Sequence, residues 1–152
     1  MAIFFTRADI QSIAEPDLNE ILLRHEVGGD DGATYLTNVI TRCENIVFTH
    51  VDHAGFNADD IRAQVGADRD SVLLGLIDSM VFCSLWMTCN ERMTDEQISL
   101  FNNVNNNNTK KLMCLSKAQL PISTRQTLET ENRAHSPINR PNLKEEYTKH
   151  GF

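Results

Sequence analysis

The sequence is short of cysteine, of basic charge and of long apolar runs, and each shortage removes a class of protein. Four cysteines in 152 residues (Cys43, Cys83, Cys89 and Cys114) stand 40, 6 and 25 positions apart. No CxxC pair arises and the density is far below that of a disulfide-stapled scaffold, so reduced thiols in a cytosol are expected. Lys and Arg number 14 against 21 Asp and Glu, for a formal net charge of -7. The basic footprint of a nucleic-acid-binding domain is therefore missing. No stretch reaches the roughly 18 uncharged apolar residues of a membrane span. The opening Met1-Ala2-Ile3-Phe4-Phe5 runs at once into Arg7 and Asp9. With no basic region ahead and no cleavage site, it does not read as a signal peptide.

Apolar residues are scarce again in the last thirty positions. Residues 123–152 offer only Leu128, Ile138, Leu143, Tyr147 and Phe152 as large apolar groups, with Pro137 and Pro141 breaking any helix. Ordering each residue costs about 1–2 kcal/mol, which so sparse a set does not offset. The tail is expected to be disordered alone and ordered on partner subunits. Charge divides at the same place. Residues 1–122 carry nine Lys and Arg against seventeen Asp and Glu, a net of -8, whereas residues 123–152 carry five against four, a net of +1. Arg125, Arg133, Arg140, Lys144 and Lys149 are too widely spaced for a basic patch. The chain thus reads as a body, 1–122, and a tail, 123–152.

What the body does contain is apolar periodicity of the helical kind. Thr6 is placed to cap a short helix through Ile13, and Glu15-Pro16 restarts the chain with proline in a first turn. Leu18, Ile21 and Leu22 follow at i, i+3, i+4. Gly28-Gly29-Asp30-Asp31-Gly32 reads as a plain linker; it lacks the strand before it and the lysine of a phosphate loop. Tyr35, Val39, Cys43, Ile46 and Val47 make one stripe, with Leu36, Ile40 and His50 beside it, predicting an amphipathic helix from Ala33 to His53. Gly55 to Asp68 reads as a connection with one turn around Asp59-Asp60-Ile61. Asp70 to Asn90 is apolar around almost its whole circumference, the pattern of a helix surrounded by other helices or by neighbouring subunits. Thr94-Asp95-Glu96-Gln97 fits a capping box. It opens a last helix with Ile98, Phe101, Leu112 and Leu115 on one side. The Asn-rich stretch, 102–108, either breaks that helix into two or is held helical by packing, and one helix with a weak middle is the reading taken. Leu120-Pro121-Ile122 ends it. The fold expected is all-α: a small bundle of two short N-terminal and three longer helices, with an extended C-terminal tail.

Few residues carry chemistry. His50 and His53 lie at i, i+3 with Asp52 between them, and Glu44 or Cys43 stands a turn or two back. Metal ions favour such spacing, yet no third ligand is fixed and helix C-termini favour His through the dipole. Cys83 and Cys89 read as small core hydrophobes. Asp78, inside the apolar helix, is expected to reach the surface or pair with an arginine. The sharper alternative is a salt bridge between subunits to Arg42 or Arg69. No catalytic, metal or cofactor residue is assigned, and the chain does not read as an enzyme.

The order of elements, with Phe5-Thr6-Arg7-Ala8-Asp9-Ile10 at the start, the Tyr35…Ile46-Val47 helix, Val72-Leu73-Leu74-Gly75-Leu76-Ile77-Asp78-Ser79-Met80 and the exit from Leu112 to Ile122, resembles the head–tail connector (adaptor, or head completion) proteins of tailed bacteriophages. The resemblance covers roughly residues 4–122; the Asn-rich stretch and the long tail depart from the pattern. It implies a structural protein of the virion neck, present in the host cytoplasm during assembly. Such proteins form a ring, usually of twelve copies, beneath the portal protein. They continue the DNA channel, through which DNA passes without specific binding, and present a surface to the next neck or tail protein. It also implies that the C-terminal extension grips the portal or neighbouring subunits, with Ile138, Arg140, Leu143, Tyr147 and Phe152 as contacts. No cofactor and no membrane are implied. The alternative is a small helical regulatory or adaptor protein whose tail folds on another partner.

Overall fold

The computed structural model describes residues 4–27, 31–88 and 93–122. The tail, and with it Ile138, Arg140, Leu143, Tyr147 and Phe152, lies outside the described residues, as does Cys89. Five α-helices follow in chain order: α1 (Glu15–Val27), α2 (Gly32–His53), α3 (Ala58–Arg62), α4 (Ser71–Met87) and α5 (Asp95–Ser116). No strand occurs among the described residues, and the protein is an all-α bundle.

The ends of the helices follow from their capping groups. Asp31 caps α2 by accepting from the Ala33 amide at 3.2 Å, and Thr34 Oγ1 donates to its other oxygen at 2.7 Å. Gly32, read from sequence as linker, is already helical. A Cβ there would stand 3.0 Å from the Leu22 carbonyl oxygen, so glycine lets α2 start hard against α1. Asn57 caps α3 and Asp70 caps α4, the latter accepting from Val72 and Leu73. At α5 the capping box forms as expected, Gln97 N donating to Thr94 Oγ1 at 3.3 Å and Thr94 N to Gln97 Oε1 at 2.9 Å. The Asn-rich stretch is helical throughout. Phe101, Val104, Asn108, Leu112 and Leu115 recur every three to four residues on the packed face, and tertiary packing offsets the poor propensity of Asn.

Helix α5 ends in a Schellman turn, with Gln119 N bonded to Cys114 O and Ala118 N to Leu115 O, both at 2.9 Å. Ala118 sits at the left-handed position, φ 53°, where glycine is the usual occupant. Its Cβ costs about 1 kcal/mol there. Ala118→Gly is therefore expected to stabilise the body by up to that amount, raising the melting temperature by a few degrees in a thermal scan. A lower melting temperature would show that the turn is not strained.

The helices pack around α2, which touches α1, α3, α4 and α5. Cys43 Sγ lies 3.7 Å from Ser84 Oγ and Asn108 Nδ2 donates to Cys83 Sγ at 3.8 Å, so α2, α4 and α5 meet at one level. Two turns further along, His50 Nδ1 bonds Ser116 Oγ. Helices α2 and α5 thus run parallel, with α4 antiparallel between the levels. The buried stripe of α2 is Leu36, Ile40, Cys43, Val47, Phe48 and Val51, while Tyr35, Val39 and Ile46 fall to its half-buried edge. Helix α2, not the more apolar α4, is the hub.

The expected helix from Thr6 through Ile13 is cut to one 3-10 turn, Arg7–Asp9, because charged groups hold the strand-like N-terminal segment elsewhere. Phe4 and Phe5 are fully buried, and the Phe4 ring meets Phe48 edge-on at 5.2 Å. Arg69 Nη1 donates to Phe4 O at 2.7 Å, and Arg69 grips the Asp9 carboxylate through both terminal nitrogens, at 2.7 and 2.8 Å. Asp78 accepts from Gln11 N at 3.2 Å and Ser12 Oγ at 2.9 Å. Its partners are thus the Gln11 amide and the Ser12 hydroxyl of this strap and not an arginine. Arg69, one of the two candidates for a bridge to another subunit, is committed within the chain.

The hydrogen bonds from Arg69, aided by those from Thr6 and opposed by desolvation, lower the Asp9 pKa to about 2 from 3.8. A depressed carboxylate stabilises the fold above its unfolded pKa and ceases to do so as pH falls through its folded one. The contribution, about 1 kcal/mol after solvent screening, is expected to fade between pH 4 and pH 2. Denaturant midpoints for the native protein and Asp9→Asn should converge across that window; a constant gap would exclude the linkage.

Candidate assembly surface

Among the described residues one face of α4 is left without a helix over it. Gly75, Ser79, Phe82 and Trp86 follow at steps of 4, 3 and 4, the spacing of a single helical stripe. Gly75 is exposed and the other three are half-buried, whereas Leu73, Leu76, Ile77, Val81 and Leu85 face the core. Space for a Cβ at Gly75 is open, with no atom within 4 Å, so nothing inside the described chain requires glycine there. Mid-helix glycine costs about 1 kcal/mol relative to alanine. It sits at the edge of a shallow cavity of about 210 Å³ bounded by Asp9, Gln11, Ser71, Leu74 and Asp78. At the other end of the stripe Phe82 and Trp86 pair at 5.9 Å, and Trp86 Nε1 is buried with no acceptor among the described residues. Close approach at the small end and aromatic grip at the large end suit an incoming helix.

More apolar surface collects at the end of the bundle where α1 and α4 finish and α5 begins. Leu23, Met87 and Leu100 are each more than half exposed, at 57%, 64% and 57%.

The histidine pair does not assemble a metal site. The His50 and His53 rings stand 6.3 Å apart at 71°, and His50 is tied to Ser116. Glu44 and Cys43 face the interior, where Glu44 accepts from the backbone of Phe4 and Phe5 and Cys43 contacts Ser84. Among the described residues no three His, Cys, Asp or Glu side chains converge on a point that a metal could occupy. Burial, with the neighbouring His53 charge, pushes the His50 pKa down. Burial raises both core thiols, Cys83 to about 11, so neither carries the thiolate a nucleophile needs at neutral pH.

Of the sequence-derived contact residues, Ile138, Arg140, Leu143, Tyr147 and Phe152, none lies among the described residues. The described chain delivers the tail from Ile122, itself 1% exposed, past half-buried Leu120 and exposed Pro121. What sequence reading missed is the α4 face. Its signal was Gly75 in the middle of an otherwise continuous apolar helix.

No family model, curated protein or solved structure matches this chain. No helix among the described residues is long and apolar enough to cross a membrane.

Proposed function

We propose that the protein is a structural component of the neck of a tailed phage, acting by assembly into a ring of about twelve copies. The observation that carries this reading is the uncovered α4 face. A helix apolar all round, yet open along Gly75, Ser79, Phe82 and Trp86, is completed by a neighbouring copy. Side-to-side contact of identical subunits at a heterologous interface closes into a ring. The ring joins the portal protein to the next neck or tail protein and continues the DNA channel. The net charge of -8 on residues 1–122 suits a wall along which DNA slides without specific binding. The tail supplies the grip on portal or neighbouring subunits through Ile138, Arg140, Leu143, Tyr147 and Phe152. Repeated around a symmetric platform, individually weak tails gain avidity.

Mixing the protein with the portal protein encoded in the same genome tests this directly. Negative-stain images and sedimentation should show a ring of this chain capping the portal. Deletion of residues 137–152 should leave the body folded and abolish that docking. A chain that stays monomeric or dimeric and leaves the portal bare would sink the neck reading.

A further inference from the structure

A second surface, unrelated to the α4 face, lies where α3 crosses the outer side of α2. Asn45, Phe48, Thr49 and Asp52 project from successive turns of α2. Opposite them stand Asn57, Asp59 and Arg62, and the two sets enclose an open cavity of about 380 Å³. Arg62 lies over the Phe48 ring, 4.6 Å from the centroid, and donates to Asn45 Oδ1 at 3.2 Å. The Arg62 Nε is buried with no acceptor, and the guanidinium forms no ion pair among the described residues. It contributes only a distant field to buried Glu44. Asp52 on α2, and Asp59 one turn before Arg62 on α3, are exposed and likewise without an ion pair among the described residues. Asn45 and Asp52 are seven residues apart on α2, about 10 Å along the axis.

From this juxtaposition we infer that the groove between α2 and α3 binds a dipolar ligand, its carboxylate on Arg62 and Asn45 and its amine or guanidinium between Asp52 and Asp59. The guanidinium edge, backed by Phe48, is a ready carboxylate receptor because the ring holds its plane. A lone phosphate is disfavoured by the two carboxylates facing it. A simple cation is disfavoured by Arg62. A basic amino acid offers the complementary pair, a carboxylate and a distal cation joined by a chain of methylenes. The same chemistry is offered by neighbouring Lys and Glu side chains on a peptide.

The full-length protein should be titrated with L-lysine by calorimetry and by amide chemical shifts, with norleucine and cadaverine as ligands that each lack one pole. Lysine should bind saturably, and both single-pole analogues at least tenfold more weakly. Arg62→Met and Asp52→Asn/Asp59→Asn should each reduce lysine affinity at least tenfold while helical circular dichroism is retained. Arg62→Lys should restore part of it. A synthetic peptide of residues 137–152, which carries Lys144 beside Glu145, distinguishes the sources. Tighter binding of the peptide assigns the groove to a protein segment, and binding of lysine alone assigns it to a free amino acid. Absence of saturation by either probe up to about 10 mM, or unchanged binding by folded Arg62→Met, overturns the inference. Because neither readout involves assembly, its failure leaves the neck reading untouched.

Discussion

Replacing Glu44 with alanine should lower the melting temperature by about 10 °C, the largest effect expected of any single surface-to-core polar change in the body. Glu44 is only 6% exposed and accepts hydrogen bonds from the backbone amides of Phe4 and Phe5. Truncation leaves both amides buried without an acceptor, at about 1–3 kcal/mol each, and opens a void beside Phe5. Relief of the carboxylate's own desolvation offsets part of this. That desolvation raises the Glu44 pKa, so the group's contribution is largest in acid and declines as pH rises through its raised pKa. Glu44→Gln keeps one acceptor and removes the charge. It should be milder than alanine, and its stability relative to the native protein should improve as pH climbs above about 4.5. Thermal scans from pH 3 to pH 8 check both. An unchanged melting temperature in Glu44→Ala would show that the strap is held by its phenylalanines alone.

Gly75→Leu should separate folding from assembly with opposite signs. In the isolated chain the added side chain meets open space and gains helix propensity, so stability rises by about 0.5–1 kcal/mol. On the open face of α4 the same side chain stands where a neighbouring helix would make its closest approach in the proposed ring, and overpacking at such a contact costs about 1–3 kcal/mol at each interface. The expected outcome is a more stable monomer that forms no ring on the portal. Ring formation at undiminished affinity would remove α4 from the interface.

The helical class and most helix positions were readable because apolar spacing, capping residues and prolines agreed with one another. Whether the asparagine tract would break α5 in two was not settled by the sequence, because Asn is a poor helix former and only packing against the bundle holds it in register. The N-terminal strap was not readable. Thr6 is a good cap, but the helix it should start is overridden by Arg69 and Asp78, partners some 60 residues away that no local pattern contains. Glu44 was hidden for a related reason. A carboxylate beside a buried stripe reads as solvated unless its distant amide donors are known. Whether helices or neighbouring subunits surround α4 stayed open because composition reports how apolar a helix is, not which neighbour covers it. The groove under Arg62 joins residues from two helices across a turn, and neither helix alone signals it.

The strap also orders events in time. Phe4, Phe5 and Ser12 leave the ribosome well before Glu44, Arg69 and Asp78, the groups that receive them. At about 5–20 residues per second the wait lasts several seconds. Throughout it two phenylalanines have no native place to go, and contacts of such long sequence separation form late even in a complete chain. The segment made early is the one fastened last. A nascent chain stalled before Glu44 would therefore carry both phenylalanines without the groups that receive them.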